Sequence, residues 1–401
     1  MRIAYFVHDL SDATVAKRIR MLAAGGAEVV VLFGFRRTAE PIVEVAGVPV
    51  VDLGRTADAQ LLKRAGSVAS NLFRAPAWRR RLAGVDVVLA RNLEVLVLAA
   101  AARRLHAPRA RLAYECLDVH GLMLSPSLAG RALRLLEGGL LEASDLLIVS
   151  SEAFVREYFE PLQRTSSRPR LATLVVENKA LPSSADNRTE RSARPPAGRP
   201  WRIGWFGMIR CRRSLDILTG LARRRPDLLQ VDIRGRPSYT EFDDFDSLIG
   251  DLANVSFVGA YRPRDLQGMY ARTHFNWAID YFQNEGNSRW LLPNRLYEGG
   301  RFGVPAIARR GCETSRWLEG RSLGVVLDDP EQELERFLEE LTPQAYTALA
   351  EQAARAPVDY FVAGPRDCQL LIAAFGQRGL VQNAATHATA LGPRPAGPSP
   401  A

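Results

Sequence analysis

The chain has little of what several function classes require. No apolar run approaches the roughly 18 residues that a bilayer-crossing helix needs, so no transmembrane helix is expected. The opening residues 1–7 form an apolar, strand-like run that meets His8-Asp9. That run is too short for a signal-peptide core and has no small-residue cleavage site. Cysteine is scarce, and Cys116, Cys211, Cys312 and Cys368 are scattered, without the spacing of a zinc site or the density of a disulfide framework. A reducing cytoplasm and no metal site are therefore expected. No nucleic-acid motif and no ladder of stacking aromatics accompanies the basic charge, which places nucleic acid last among partners.

What is present is an ordinary globular composition. The 401 residues are 47% hydrophobic and 24% charged, enough for two domains. The formal net charge is +9, and it is unevenly spread. Between Arg55 and Arg81 stand seven basic residues (Arg55, Lys63, Arg64, Arg74, Arg79, Arg80, Arg81) against one acid, Asp58. Leu61, Leu62, Val68, Leu72, Phe73 and Trp78 are mixed among them. Such a mixture fits an anionic membrane surface; a solvated helical face over a core stripe fits it equally well.

The first half alternates apolar runs with helical stretches. Runs at 3–7, 29–33, 48–51, 85–90, 111–115 and 146–150 read as buried parallel strands, with helices at 13–24 and 93–105 among them. This spacing predicts an α/β doubly wound sheet whose post-strand loops share one edge. Residues 181–200 lack apolar bulk and read as a linker. The pattern restarts at Trp201, with strands predicted at 201–207, 229–234, 255–258, 275–279, 306–308 and 324–326. Two similar units facing a cleft are expected, over 1–180 and 201–356. The stretch 357–376 is expected to pack back on the first domain, and 381–401 to be a disordered tail.

Candidate chemistry lies in the post-strand loops. In the second unit, Gly207 allows close backbone approach to a ligand, and Arg210, Arg212 and Arg213 are suited to gripping a diphosphate by bidentate hydrogen bonds. Gly259 and Tyr261 follow another strand, where a nucleobase contact and an ordinary turn are the alternatives. Asp280 and Glu285 carry sugar-hydroxyl chemistry or simply build a turn. Asn294, Arg295 and Glu298 open a helix whose N-terminus attracts phosphate, while a carboxylate one turn in suits a ribose diol. In the first unit, Asp118 and His120 are candidate bases able to take a proton from an attacking hydroxyl. His8, Asp9, Arg91, Asn92 and Glu115 are expected beside them on the acceptor side.

The string PNRLYEGGRFGVPAIA resembles the P-N-K-x-x-E-x-x-x-x-G-x-P-V-I-A segment of the GT-B glycosyltransferases. The resemblance implies that Glu298 binds the donor ribose. The turn from Gly207 to Arg213 resembles that family's phosphate loop and implies Arg213 as the diphosphate ligand. Two departures stand out. Met208 occupies the loop's arginine position, leaving Arg210 or Arg212 to compensate. Trp290 stands eight residues before Glu298, where the family often has a glutamate; Glu285 is the candidate substitute, and the retaining mechanism is left open. The strings ARNLEVLVLAA and YECLDVHGLM and the opening 29 residues resemble the succinoglycan-type exopolysaccharide glucosyltransferases. That resemblance, over about residues 1–376, implies an acceptor-binding domain over 1–180 and a nucleotide-sugar-binding domain over 201–356; with Arg212, Arg213 and the helix start at Asn294 neutralising the departing diphosphate, neither metal ion nor cofactor is expected. The sugar, expected to be glucose from UDP-glucose, would pass to a lipid-linked oligosaccharide at the inner face of the plasma membrane. A nucleotide-sugar epimerase and a non-catalytic membrane scaffold are the alternatives.

Overall fold

A computed structural model describes residues 1–55, 61–164, 171–182, 194–242, 244–250 and 252–377, without the side chains of 61–65. The expected tail at 381–401, linker residues 183–193, Asp58 and the side chains of Lys63 and Arg64 lie outside the described residues.

The first sheet contains β1 (Arg2–Val7), β2 (Glu28–Arg36), β3 (Glu44–Val45), β4 (Val48–Arg55), β5 (Val87–Arg91), β6 (Arg111–Cys116), β7 (Leu146–Val149) and β8 (Thr173–Val175). Their order is β3-β4-β2-β1-β5-β6-β7-β8. The second contains β9 (Trp201–Ile209), β10 (Leu229–Pro237), β11 (Val255–Phe257), β12 (Phe275–Trp277), β13 (Ala306–Arg309) and β14 (Val325–Leu327), ordered β11-β10-β9-β12-β13-β14. Every pairing is parallel except β3 with β4. Parallel neighbours need crossovers, so the C-terminal strand ends of each unit gather on one edge. The strand order reverses beside β1 in the first sheet and beside β9 in the second, which opens a crevice at each.

The core strands are apolar in continuous runs because both faces are covered. Residues 3–7 are fully buried. One face packs under the helices Leu61–Arg74 and Leu93–His106, where Phe6 stacks on Phe33 at 4.4 Å. The other packs under Ala13–Ala24 and the terminal helix Pro365–Gly376, which inserts Leu371, Ala374 and Phe375 among Ile3, Tyr5 and Leu22. The two helices approach so closely that a Cβ on Gly25 would lie 2.4 Å from the Cys368 carbonyl oxygen. Asp12 caps Ala13–Ala24 by accepting from the Thr14 N–H at 2.8 Å.

The chain crosses between the units near Ala180 and again near Val362, and the crossings are joined. Ala180 N–H donates to Phe361 O and Ala363 N–H to Ala180 O, each at 2.8 Å. Two strands escaped the sequence reading. β3 has only two residues and hangs on a turn at Ala46-Gly47, both at positive φ, a hairpin geometry that matches strand twist. β8 adds a short edge to the sheet just before the linker.

Candidate active site

In the second unit, three neighbouring strand ends are stripped to backbone. Gly207 has φ +116° and faces Gly235, at φ +143°. A Cβ on Gly235 would fall 1.7 Å from the Gly207 carbonyl oxygen. The Gly235 N–H donates to Gly259 O at 2.8 Å, and Gly259 is at φ +80°. The result is a side-chain-free shelf. Gly235 was missed in the sequence, although it follows the run predicted at 229–234 as Gly259 follows that at 255–258.

Cations gather beside the shelf. Arg210 pairs with Asp280 at 3.1 Å and lies 4.8 Å from the Phe282 ring centre. Burial alone would raise the Asp280 pKa, but Arg210 and Arg295 hold it below the usual carboxylate value. Arg212 pairs with Asp216 one turn along its own helix at 2.9 Å, an exposed contact that costs little to break. Arg213 lies 4.6 Å from the Tyr281 ring centre and reaches Glu331 at 3.1 Å. Arg309, at the end of β13 and unmarked in the sequence reading, lies 4.8 Å from the same ring. Its Nε and Nη2 are buried without a hydrogen-bond partner. Burial lifts the Tyr281 phenol to about 12 against the pull of both arginines.

The helix Asn294–Arg301 starts without a side-chain cap, because Pro293 precedes it. Its first N–H groups are left for another acceptor, and Asn294 is exposed. Glu298 is half-buried. Desolvation raises its pKa, opposed by Lys17, Arg295 and a hydrogen bond from Tyr270. Tyr261 stands in the same field: burial raises its phenol first and Glu298 second. Lys17 belongs to the first unit and donates to Asn178 O at 3.0 Å. Burial lowers its pKa to about 8, with Arg18 adding and Glu298 opposing. A lysine of one unit therefore faces the carboxylate of the other. Arg295 is a correction to the expected donor contacts. It is buried, donates to Ile279 O at 2.9 Å, and braces the site from beneath. Glu285 is exposed on the loop before Asn287.

Two acceptor-side expectations are also corrected. Glu115 and Arg91 are fully buried. Glu115 accepts from Arg18 at 2.6 Å, Arg91 at 2.9 Å and Tyr5 at 2.6 Å. Burial would raise its pKa, but the two guanidiniums bring it to about 2. This closed charge cluster underpins the loops and presents no surface to an acceptor. Above it, Asn92 sits at φ +70°, contacts His8 at 3.4 Å and accepts from Leu117 N–H at 3.4 Å, tying three post-strand loops together. Burial lowers the His8 pKa. Asp9 is buried, accepts from Ser11 and pairs with Arg37 at 2.7 Å.

Asp118 and His120 lie on the loop after β6, and both are exposed. The crowded cleft raises the Asp118 pKa, while Arg210 of the other unit and His120 pull it down. His120 accepts from Leu122 N–H at 3.2 Å, capping a single helical turn. Trp290 packs across the cleft against Phe154 and Tyr158, with ring centres 6.0 and 6.3 Å apart. The position at which the resemblance expects an acid is thus occupied by an interdomain anchor. Among the described residues, no group of three His, Cys, Asp or Glu is placed to hold a metal ion, and no helix is long and apolar enough to cross a membrane.

Two parallel-sheet domains with their strand ends converging on one cleft define a GT-B glycosyltransferase, and the comparisons with known proteins agree. The glycosyl transferase 4-like domain model matches residues 12–178. The chain is 43% identical over 380 residues to the succinoglycan biosynthesis protein ExoL of Rhizobium meliloti (strain 1021), spanning 93% of this chain and 92% of that protein, and it belongs to that glycosyltransferase family. This membership sets aside the epimerase and scaffold alternatives. Similar solved folds include a sucrose-phosphate synthase of Thermosynechococcus elongatus (TM-score 0.66, 14% identity, 93% of this chain and 98% of that one). Another is HepE of Anabaena in complex with UDP and glucose (TM-score 0.64, 17% identity, 93% and 98%).

Proposed function

We propose that this glycosyltransferase moves glucose from UDP-glucose to a lipid-linked oligosaccharide during exopolysaccharide assembly. The observation that carries the reading is the pairing of an uncapped helix start bearing Glu298 with a cluster of arginines on the same sheet edge. A ribose diol would donate to Glu298. The diphosphate would meet Arg213, Arg309 and the helix N-terminus, with Arg210 and Arg212 in reserve, which suits a reaction without a metal ion. The base would lie on the Gly207–Gly235–Gly259 shelf, near Tyr261. The kinship with ExoL and the UDP and glucose held by HepE support the donor class.

In an inverting reaction, the acceptor hydroxyl oxygen attacks the anomeric carbon as the bond from that carbon to the diphosphate oxygen breaks. The bonding pair leaves with UDP, and the hydroxyl proton passes to Asp118, or to His120 as the alternative. The raised Asp118 pKa suits a base that must accept a proton. Closure of the cleft keeps water from the donor. A peripheral position at the cytoplasmic face of the plasma membrane is supported by exposed Phe73, Leu128, Leu135 and Leu136. Exposed Arg74 and Arg131 sit on the same two helices as these residues, and exposed Arg79, Arg80 and Arg81 on a turn that follows the first. The test is transfer of labelled glucose from UDP-glucose into a bacterial lipid extract, with and without EDTA. Unchanged transfer by Glu298→Ala combined with Arg213→Ala would refute the site, and loss of transfer in EDTA would refute metal independence.

A further inference from the structure

The short helix Asn287–Trp290 belongs to the second domain yet is built into the first. Asn287 is buried, and its carboxamide closes a two-way pair with the backbone N–H and C=O of one residue of the opposite domain. Val119 N–H donates to its Oδ1 at 2.9 Å, and its Nδ2 donates to Val119 O at 2.7 Å. Only one orientation of the amide satisfies both bonds, so the donor and acceptor ends are defined by the network. Three residues on, Trp290 fills the space beside Phe154 and Tyr158, and its carbonyl accepts from Ser151 Oγ at 2.5 Å. Gly286 lies so close to Leu124 that a Cβ there would come within 2.3 Å of Leu124 Cδ1. The contact is thus anchored at both ends of the helix.

Val119 separates Asp118 from His120. The loop carrying both candidate bases is therefore held by a side chain that arrives from the donor domain. We infer that Asn287 is a positioning residue for the proton-accepting loop, fixing the Asp118–His120 segment only when the two domains are closed on each other. The inference rests on the proposed transfer reaction. The two hydrogen bonds hold the peptide units on both sides of Val119, and hence the directions in which Asp118 and His120 leave the backbone. A loop that loses them shifts by more than proton transfer tolerates, since a misplacement of about 1 Å can cost roughly 10²-fold in rate. The Asp118 carboxylate belongs to the residue directly before the Val119 N–H that Asn287 holds. The charged and titratable groups facing that carboxylate are Arg210, His120 and Asp280, and of these Arg210 and Asp280 also come from the donor domain.

The experiment measures labelled glucose transfer from UDP-glucose into a bacterial lipid extract across pH, with UDP binding by calorimetry and thermal melting alongside. The variants are Asn287→Ala, Asn287→Ser and Asp118→Asn. Asn287→Ala is expected to lower the maximal rate about 10²-fold, with donor KM and UDP affinity changed less than about threefold. The acid limb of its pH profile should move to higher pH, because a loosened loop draws Asp118 away from Arg210, which favours its charged form. If Asn287→Ala fails to fold, Asn287→Ser, which keeps a polar atom, serves for the same comparison. A purely structural role predicts a uniform loss across pH that follows the melting temperature, and that result overturns the inference. An unchanged rate overturns it as well. If Asp118→Asn transfers normally while Asn287→Ala is slow, Asp118 is not the base and the loop serves His120. If neither change matters, the proposed chemistry of the loop is itself wrong.

Discussion

Replacing Glu115 by glutamine separates a buried brace from an acceptor ligand. The substitution preserves shape and removes one negative charge from a site where Glu115 is fully buried and its two guanidinium partners, Arg18 and Arg91, are nearly or wholly so. A carboxyl brought from 4.5 to about 2 favours its charged form in the folded state by about 3 kcal/mol. Removing one partner of a buried ion pair typically costs about 3–5 kcal/mol, because the other charge is left uncompensated. Arg91 retains Thr14 Oγ1 at 2.6 Å and Arg18 retains Met21 Sδ at 3.3 Å, so the lower end, about 3 kcal/mol, is expected. The assay is amide hydrogen exchange of β1, β5 and β6 at pH 7, where about 3 kcal/mol appears as roughly 10²-fold faster exchange. The pH dependence has a definite sign. The folded pKa is depressed, so the stabilisation is fully present above the ordinary value of 4.5 and is lost as pH falls from there toward about 2. The gap between wild type and Glu115→Gln should close over that window. A cost below about 1 kcal/mol, within the range of an exposed pair, or a loss of transfer with exchange unchanged, would refute the buried-brace reasoning.

Gly235→Ala should destabilise the second domain by about 2 kcal/mol or more, since the position combines φ +143° with a Cβ 1.7 Å from the Gly207 oxygen; thermal melting checks this, and an unchanged midpoint would contradict it. Lys17 is lowered to about 8 by burial, so the unfolded chain binds its proton more tightly. Wild-type stability should therefore rise with pH from about 8 toward 10.5, and a pH series of denaturant melts on Lys17→Met should lose that slope. Arg309→Met should weaken UDP binding about tenfold or more while sparing uridine, because a charge-assisted contact to phosphate is lost; calorimetry with both ligands decides. Glu298→Gln should weaken UDP-glucose binding without lowering the melting temperature, because burial already disfavours the charged carboxylate.

The alternation of apolar strands with amphipathic helices was legible because burial on both faces forces continuous Val, Ile and Leu runs. Parallel pairing in turn forces helices between those runs. The helix Ala13–Ala24 and all six strands of the second sheet stand where period and composition put them. The glycines at φ +116° and +80°, Gly207 and Gly259, announced themselves by residue type at strand ends. What no local pattern carried is pairing across distance. Arg91 and Glu115 looked like site residues because they end strands on the functional edge; only the packing of Ala13–Ala24, with Arg18, turned them inward. Lys17 meets the field of Glu298, and Asn287 meets Val119, across 281 and 168 positions of chain respectively. In sequence Trp290 marks only an absent acid; Phe154 and Tyr158 beside it make it an anchor between the domains. The chain's own chemistry therefore determined the two sheets, their shared functional edges and the residue types available there. Which of those residues face the cleft and which are consumed beneath it was decided by how the two domains close, because a hydrogen bond or ion pair depends on distance in space, which separation along the chain does not encode.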